Sequence, residues 1–263
     1  MVDPFASALV PLTVHLDEVH HCVSFLRDSS RLKSILGKLV KWELGDTSET
    51  RFAQSFIKSE LVQSRPVLNG LLVTVVAAFE EFLRTVIVSA ARMRVTKSRK
   101  FQDLGESFIN RHIEYSGRLL ATVHSPPAHI SVNYFDICRR LGTCIPDSTA
   151  IEINDTALGF IRSVTDIDTF LDCIKGIGYK ISLDDMGRDR NLQGFLKTSG
   201  TRETSKELKR ALNDVVLNRH KIAHSGQSYA EITEDILFEH MKVLELTATA
   251  IIHHLTKQLK DNP

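Results

Sequence analysis

RALNDVVLNRHKIAHSGQ (residues 210–227), followed at 232–255 by ITEDILFEHMKVLELTATAIIHHL, is the stretch that decides the fold. Leu208, Leu212 and Val216 step four and four into the first segment, which predicts a helix from Glu203 to about Ala223 with Gly226 placed to end it. In the second, Thr233 precedes Glu234 and Asp235, an N-cap with acidic first-turn residues. Leu237, Met241, Leu244, Ala248, Ile251 and Leu255 then step four and three, the stripe of a helix that buries one face. Two consecutive amphipathic helices joined by a short loop are the unit of an antiparallel helical bundle.

The same period runs backward through the chain. Phe5, Leu9, Leu12, Leu16, Val19, Val23 and Leu26 form a stripe, with Pro11 inside it marking an expected helix start. Leu32, Ile35, Leu36 and Leu39 predict a second, short helix closed near Gly45. Pro66 opens a long segment to about Arg94 whose centre, LLVTVVAAFEEFLRTVIVSAA (71–91), is apolar on most sides. A buried strand competes locally, but the length and the lack of turn residues favour a helix. Residues 106–124 predict another helix, stopped by Pro126 and Pro127. Residues 125–200 are choppier and read as an insertion with two helical segments, NYFDICRRLG (133–142) and DIDTFLDCIKGIG (166–178).

The expected organisation is one all-α domain over 1–263. It comprises N-terminal helices (1–65), first core helices (66–124), a mostly helical insertion (125–200), and the motif and final helices (201–263).

With 43% hydrophobic and 25% charged residues, the chain has the composition of a packed globular protein. A net charge of +1 excludes a global field for nucleic acid, so any such surface must be a local patch. Cys22, Cys138, Cys144 and Cys173 form no Cys-x-x-Cys pair, and the N-terminus lacks a basic start followed by an apolar block. The expectation is a cytoplasmic protein with reduced thiols and no membrane span.

The chemistry-bearing residues lie in the first quoted stretch. Arg219 and His224 are four residues apart in sequence gap, with His220 directly after the arginine. A second arginine–histidine pair, Arg118 and His124 with five residues between, abuts Pro126 and lacks the helix–loop–helix surroundings, so it is read as chance. His220 and His224 also form the spacing with which a helix holds zinc, and His240 is a conceivable third ligand. Lys221 stands where a metalloprotease has glutamate, and no metal is expected. The basic run Arg92, Arg94, Lys97, Arg99, Lys100 is either a solvated helix end or, together with Lys221, a track for a nucleic-acid backbone.

An arginine, a gap of four to six residues and a histidine, with a polar residue after the arginine, resembles the motif for which HEPN proteins are named. IAHSG followed by the final helix is similar to the last two helices of the RiboL-PSP-like subgroup. AFEEFLR (78–84) and NYFDICRRLG resemble two further pieces of it. The resemblance implies a HEPN-type bundle and an endoribonuclease that needs no metal or cofactor. Its catalytic residues would be Arg219, His224 and His220, with Glu80 (or Glu81) orienting Arg219. It also implies RNA as substrate, a homodimer with a composite active site, and a role in prokaryotic defence or a toxin-like system. A HEPN module that binds RNA or a nucleotide, or scaffolds a partner, without catalysis is the alternative. Toxins of this class regulated by adenylylation often carry tyrosine two residues after the histidine; Gly226 stands there, so that regulation is not implied.

Overall fold

A computed structural model describes residues 5–40, 51, 54–55, 64–125, 132–145, 148–149, 151–159, 166–225 and 232–261. No strand occurs among them, and the fold is all-α. Four long helices carry it: α1 (Ala6–Val40), α2 (Ser64–Lys97), α9 (Thr201–Ser225) and α10 (Glu234–Asp261). Between α2 and α9 come a 3-10 turn (Phe101–Leu104), α3 (Glu106–Leu120), α4 (Tyr134–Gly142), α5 (Asp155–Gly159), α6 (Ile167–Ile177), α7 (Leu183–Met186) and α8 (Arg190–Leu196).

Side-chain contacts give the direction of each long helix. At one end, Phe5 packs edge-on against Tyr179, whose neighbour Lys180 donates its backbone N–H to Gln258 at 2.8 Å. Arg94 approaches Gly178 there, and Ser205 Oγ donates to the Leu183 carbonyl and the Asp184 carboxylate. The start of α1, the end of α2, the start of α9 and the end of α10 therefore share this end. At the other end, Arg27 of α1 pairs with Glu234 at the start of α10 (2.7 Å). Successive long helices thus run antiparallel; α2 touches the other three, and α10 packs against both α1 and α9.

The predicted stripes are the core. On α10, Leu237, Met241, Leu244, Ala248, Ile251 and Leu255 are all buried; Phe5 just before α1, and Leu12, Leu16, Val19 and Val23 on it, are buried. The 71–91 segment is helical, and its centre is buried on several sides because α2 has neighbours all around. Thr233 caps α10, its Oγ1 accepting the Ile236 N–H at 3.2 Å.

Two expectations on α1 are corrected. The helix begins before Pro11, which costs one carbonyl partner near the first turn, and a 35-residue helix packed along its length absorbs that. Leu32, Ile35, Leu36 and Leu39 continue the same helix, since FLRDSSRLKS contains no glycine or proline to break it. The expected closure near Gly45 lies outside the described residues.

The two helices expected within 125–200 are α4 and α6, and three shorter ones join them. α4, α6, α7 and α8 each have a local cap. Asp166 accepts the Asp168 N–H before α6, and Gly178 ends it at φ 106°, a left-handed conformation open to glycine. Ser182 and Asp185 form a capping box on α7, and Asp189 accepts two N–H groups at the start of α8. Leu158, Phe170, Ile174, Ile177, Met186 and Leu192 from this region are buried in the same core cluster as the long helices. Cys138 is exposed; Cys144 is half-buried, and burial raises its pKa.

A buried polar node ties α3 to this region. His112, fully buried, accepts the Asn154 backbone N–H at Nε2 (2.8 Å). The Asn154 amide donates to Ser116 Oγ (3.0 Å) and the Ile137 carbonyl (3.2 Å). Burial, aided by the nearby Arg140 charge, lowers the His112 pKa to about 4. Its folded pKa is thus below its unfolded value of about 6.5, so the unfolded chain takes up the proton first as pH falls. Stability from this group is complete above pH ~6.5 and declines toward pH ~4, by about 3 kcal/mol in all. Urea unfolding at a series of pH values should show that decline, and His112→Gln should remove this part of it. An identical pH slope in both proteins would refute the assignment.

A second stability prediction concerns the seat of α9. Gly187 has an ordinary φ of −63°, so its need for glycine is steric. A Cβ there would lie 2.5 Å from Ser205 Oγ and 2.6 Å from the Thr201 carbonyl oxygen. Gly187→Ala is expected to cost about 1–3 kcal/mol by forcing α7 and α9 apart, measured as a drop in urea midpoint at unchanged slope.

Candidate active site

Along α9 the inward residues are Leu208, Leu212 and Val215, all buried, followed by Arg219 and Ile222, both half-buried. The steps are four, three, four and three, so Arg219 occupies a core-facing position where the helix leaves the core. Val215 rather than Val216 is the fully buried valine, one residue from the expected register. An arginine at such a seam lays its methylenes on apolar surface and keeps its charged head at the edge. Among the described residues, the Arg219 guanidinium makes no hydrogen bond or ion pair.

The backbone stays helical through Ser225, so His220 and His224 fall one turn apart on a shared face, about 40° from each other. Arg219 and His224 point about 140° apart. His220 and Lys221 are exposed. The side chain of His224, and the expected cap at Gly226, lie outside the described residues.

One anchor of this helix was not read as such from the sequence. Asn218, immediately before Arg219, places its amide Nδ2 2.9 Å from His240 Nε2 on α10. His240 is buried, and desolvation lowers its pKa against the opposing pull of Glu239 and Asp214. A neutral ring accepting from the amide fixes the turn that carries Arg219. His240, considered as a third zinc ligand, has that nitrogen committed to Asn218. The sequence signal was available: position 240 lies beside Met241 of the apolar stripe, where a histidine is part-buried and seeks a polar mate.

The other expected site residues have neighbours of their own. Glu80 pairs with Arg84 at 3.7 Å, and Glu81 pairs with the same arginine. Arg84 and Val88 adjoin Gly159, and Arg92 pairs with Asp155 of α5. Positions 84, 88 and 92 thus face α5, and Glu80 is tied to Arg84 of that row. Among the described residues no hydrogen bond or ion pair joins Glu80 to Arg219.

The basic run is also partly committed. Arg92 is held by Asp155 through Nε at 3.0 Å, and half-buried Arg94 reaches the Asp103 carbonyl at 3.4 Å. The backbone N–H groups of Arg99 and Lys100 cap the Asp103 carboxylate, while Lys97, Arg99 and Lys100 are exposed. This run sits at the bundle end shared with Ser205, and α9 rises about 21 Å from Ser205 to Arg219. The structure does not bring the run and the motif together. Arg118 of the chance pair is engaged by Glu114 at 2.5 Å and lies over the Tyr115 ring.

The model of the RiboL-PSP-HEPN family matches residues 44–259, most of the chain. The chain belongs to the RiboL-PSP-HEPN family. No curated protein and no solved structure matches it. Membership in a HEPN family points to an RNase-type or RNA-binding module. The match takes in α2 through most of α10 and leaves α1 outside. Among the described residues of this RiboL-PSP-HEPN chain, no helix is long and apolar enough to cross a membrane.

Proposed function

We propose that this RiboL-PSP-HEPN protein is a metal-independent endoribonuclease centred on Arg219 and His224. The observation that carries the reading is the setting of Arg219. Its side chain is half-buried at the end of a core stripe and its guanidinium is unengaged among the described residues, on a helix that continues through His220 and His224.

RNA supplies its own nucleophile. A base removes the 2′-hydroxyl proton, the 2′-oxygen bonds to the adjacent phosphorus, and the bond to the 5′-oxygen breaks as an acid delivers a proton to it. The products are a 2′,3′-cyclic phosphate and a 5′-hydroxyl, with no water consumed. Histidine can hold or release a proton near neutral pH. Arg219 offers permanent charge and paired donors to the phosphate oxygens as negative charge builds.

One step needs both a base and an acid. Two copies meeting motif to motif would supply two histidines and two arginines around a single phosphate, which makes a homodimer with a composite site part of this reading. Lys221, exposed on the motif helix, would then carry backbone contact for the RNA, and the distant run at Arg92–Lys100 could touch only a longer strand. The cellular setting we assign is cytoplasmic RNA cleavage in prokaryotic defence or a toxin-like system.

The test is cleavage of mixed total RNA in EDTA by the wild type and by His224→Ala at equal folded concentration. Metal-free cutting with cyclic phosphate ends, lost in the variant, supports the reading. Cutting only on addition of metal refutes the mechanism. RNA binding without cutting by a folded dimer supports a non-catalytic module instead.

A further inference from the structure

Beside the turn that carries Arg219 is a cleft of about 260 Å³ between α8, α9 and α10. Phe195, Leu196 and Val243 give it apolar walls, and Asp214, Glu239 and His240 bring polar groups to it. His240 is only 8% exposed, and its Nε2 accepts the Asn218 amide N–H. Asn218 does not line the cleft, so the ring edge left to the cleft is the one with Nδ1. With Nε2 accepting, the proton of the neutral ring sits on Nδ1. A buried N–H is thus aimed into the cleft, and among the described residues it has no hydrogen-bond partner.

Asp214 and Glu239 flank that N–H, since the charge of each acts on the His240 ring. Both are exposed, and neither makes a hydrogen bond or ion pair among the described residues. The cleft therefore offers one donor between two acceptors, with apolar surface around them.

This set of groups narrows the ligand. A metal ion would need the lone pair of Nδ1, where the proton sits. An arginine or lysine side chain would satisfy the carboxylates but has no acceptor for the Nδ1 proton. The occupant must carry an acceptor beside adjacent donors, on a flat body suited to apolar walls. The Watson–Crick edge of guanine has that order: O6 accepts, and N1–H and the N2 amino group donate. Adenine and cytosine each present one donor group on that edge, and uracil places its single donor between two acceptors.

The position suits a strand held at the motif. Asp214, Asn218 and Lys221 fall within about 60° of one another around α9, and Lys221 lies about 10 Å beyond Asp214. A nucleotide with its base in the cleft would run its backbone toward Lys221 and the motif turn.

We propose that this cleft is a guanine-recognition subsite for the nucleotide adjoining the cleaved phosphate. In it His240 Nδ1–H donates to O6, and the Asp214 and Glu239 carboxylates accept from N1 and N2. Its place beside the cleaved phosphate rests on the ribonuclease reading, whereas recognition of the base does not.

Calorimetric titration of the full chain tests this, with guanosine monophosphate as its 3′ and 5′ isomers beside the adenosine, cytidine, uridine and inosine nucleotides. One guanosine isomer should bind at least about tenfold more tightly than its adenosine, cytidine and uridine counterparts. Inosine lacks only the N2 amino group and should lose most of that advantage. Asp214→Asn with Glu239→Gln should abolish the preference at unchanged melting temperature, both residues being exposed. Equal affinity for all the bases, or binding of none, overturns the proposal, as does a guanine preference that the double variant keeps. Mapping of cut sites on total RNA in EDTA separates this proposal from the ribonuclease reading. Guanosine binding without any cleavage leaves base recognition standing and favours the non-catalytic module. Cleavage at sites with no adjoining guanosine overturns the subsite and leaves the ribonuclease reading in place.

Discussion

Arg219→Ala and His224→Ala should each lower RNA cleavage in EDTA by at least about a hundredfold while leaving the protein folded. A positioned proton-transfer group contributes roughly 10²–10⁴ in rate, and a charge-stabilising donor about 10²–10³. Neither substitution empties the core. Arg219 is half-buried with no hydrogen bond or ion pair among the described residues, and His224 is in the last turn of its helix. Arg219→Lys keeps the charge but loses the paired donors, so it should recover only part of the rate. Arg118→Ala is the matched control: it belongs to the second Arg–His pair, is held by Glu114, and should leave turnover unchanged. Equal turnover in wild type and Arg219→Ala would rule out the catalytic assignment. Loss of RNA affinity at unchanged rate per bound complex would favour a binding module.

Phe170→Ala is expected to destabilise the whole chain by about 3–5 kcal/mol. Phe170 is fully buried on α6, in the region that reads as an insertion, and belongs to the same core cluster as Val86, Leu208 and Leu244 of three long helices. Removing its ring should therefore lower hydrogen-exchange protection in α2, α9 and α10 as well as in α6. Loss of protection confined to 132–200, with α9 unchanged, would show that the region is an appendage with its own stability.

Much of this was legible in residues taken one helix at a time. The stripes of α1 and α10, the opening of α2 near Pro66 and the Thr233 cap are local patterns, and each appears where it was expected. Arg219 was legible as chemistry from its spacing to His224, and its place on the inward stripe is a continuation of Leu208 and Leu212. The direction of Glu80 was not. α2 is apolar on most sides, so its periodicity does not say which neighbour each polar residue meets, and Glu80 turned out to pair with Arg84 one turn on. The basic run looked free because its mates are remote or backbone: Asp155 is 63 residues from Arg92.

By itself, then, the sequence determined that the chain is helical, which faces seek burial, and which helix carries an arginine and two histidines in a pattern of the HEPN kind. These follow from period, capping and spacing, which act within a few turns. Only the tertiary structure decided that Asn218 is clamped by His240, that the basic run and the motif lie at opposite ends of the bundle, and that Val10, Val14 and Phe25 of α1 stay exposed. Each of these depends on which helices become adjacent and in what direction, and that is settled by how all the apolar faces are buried together.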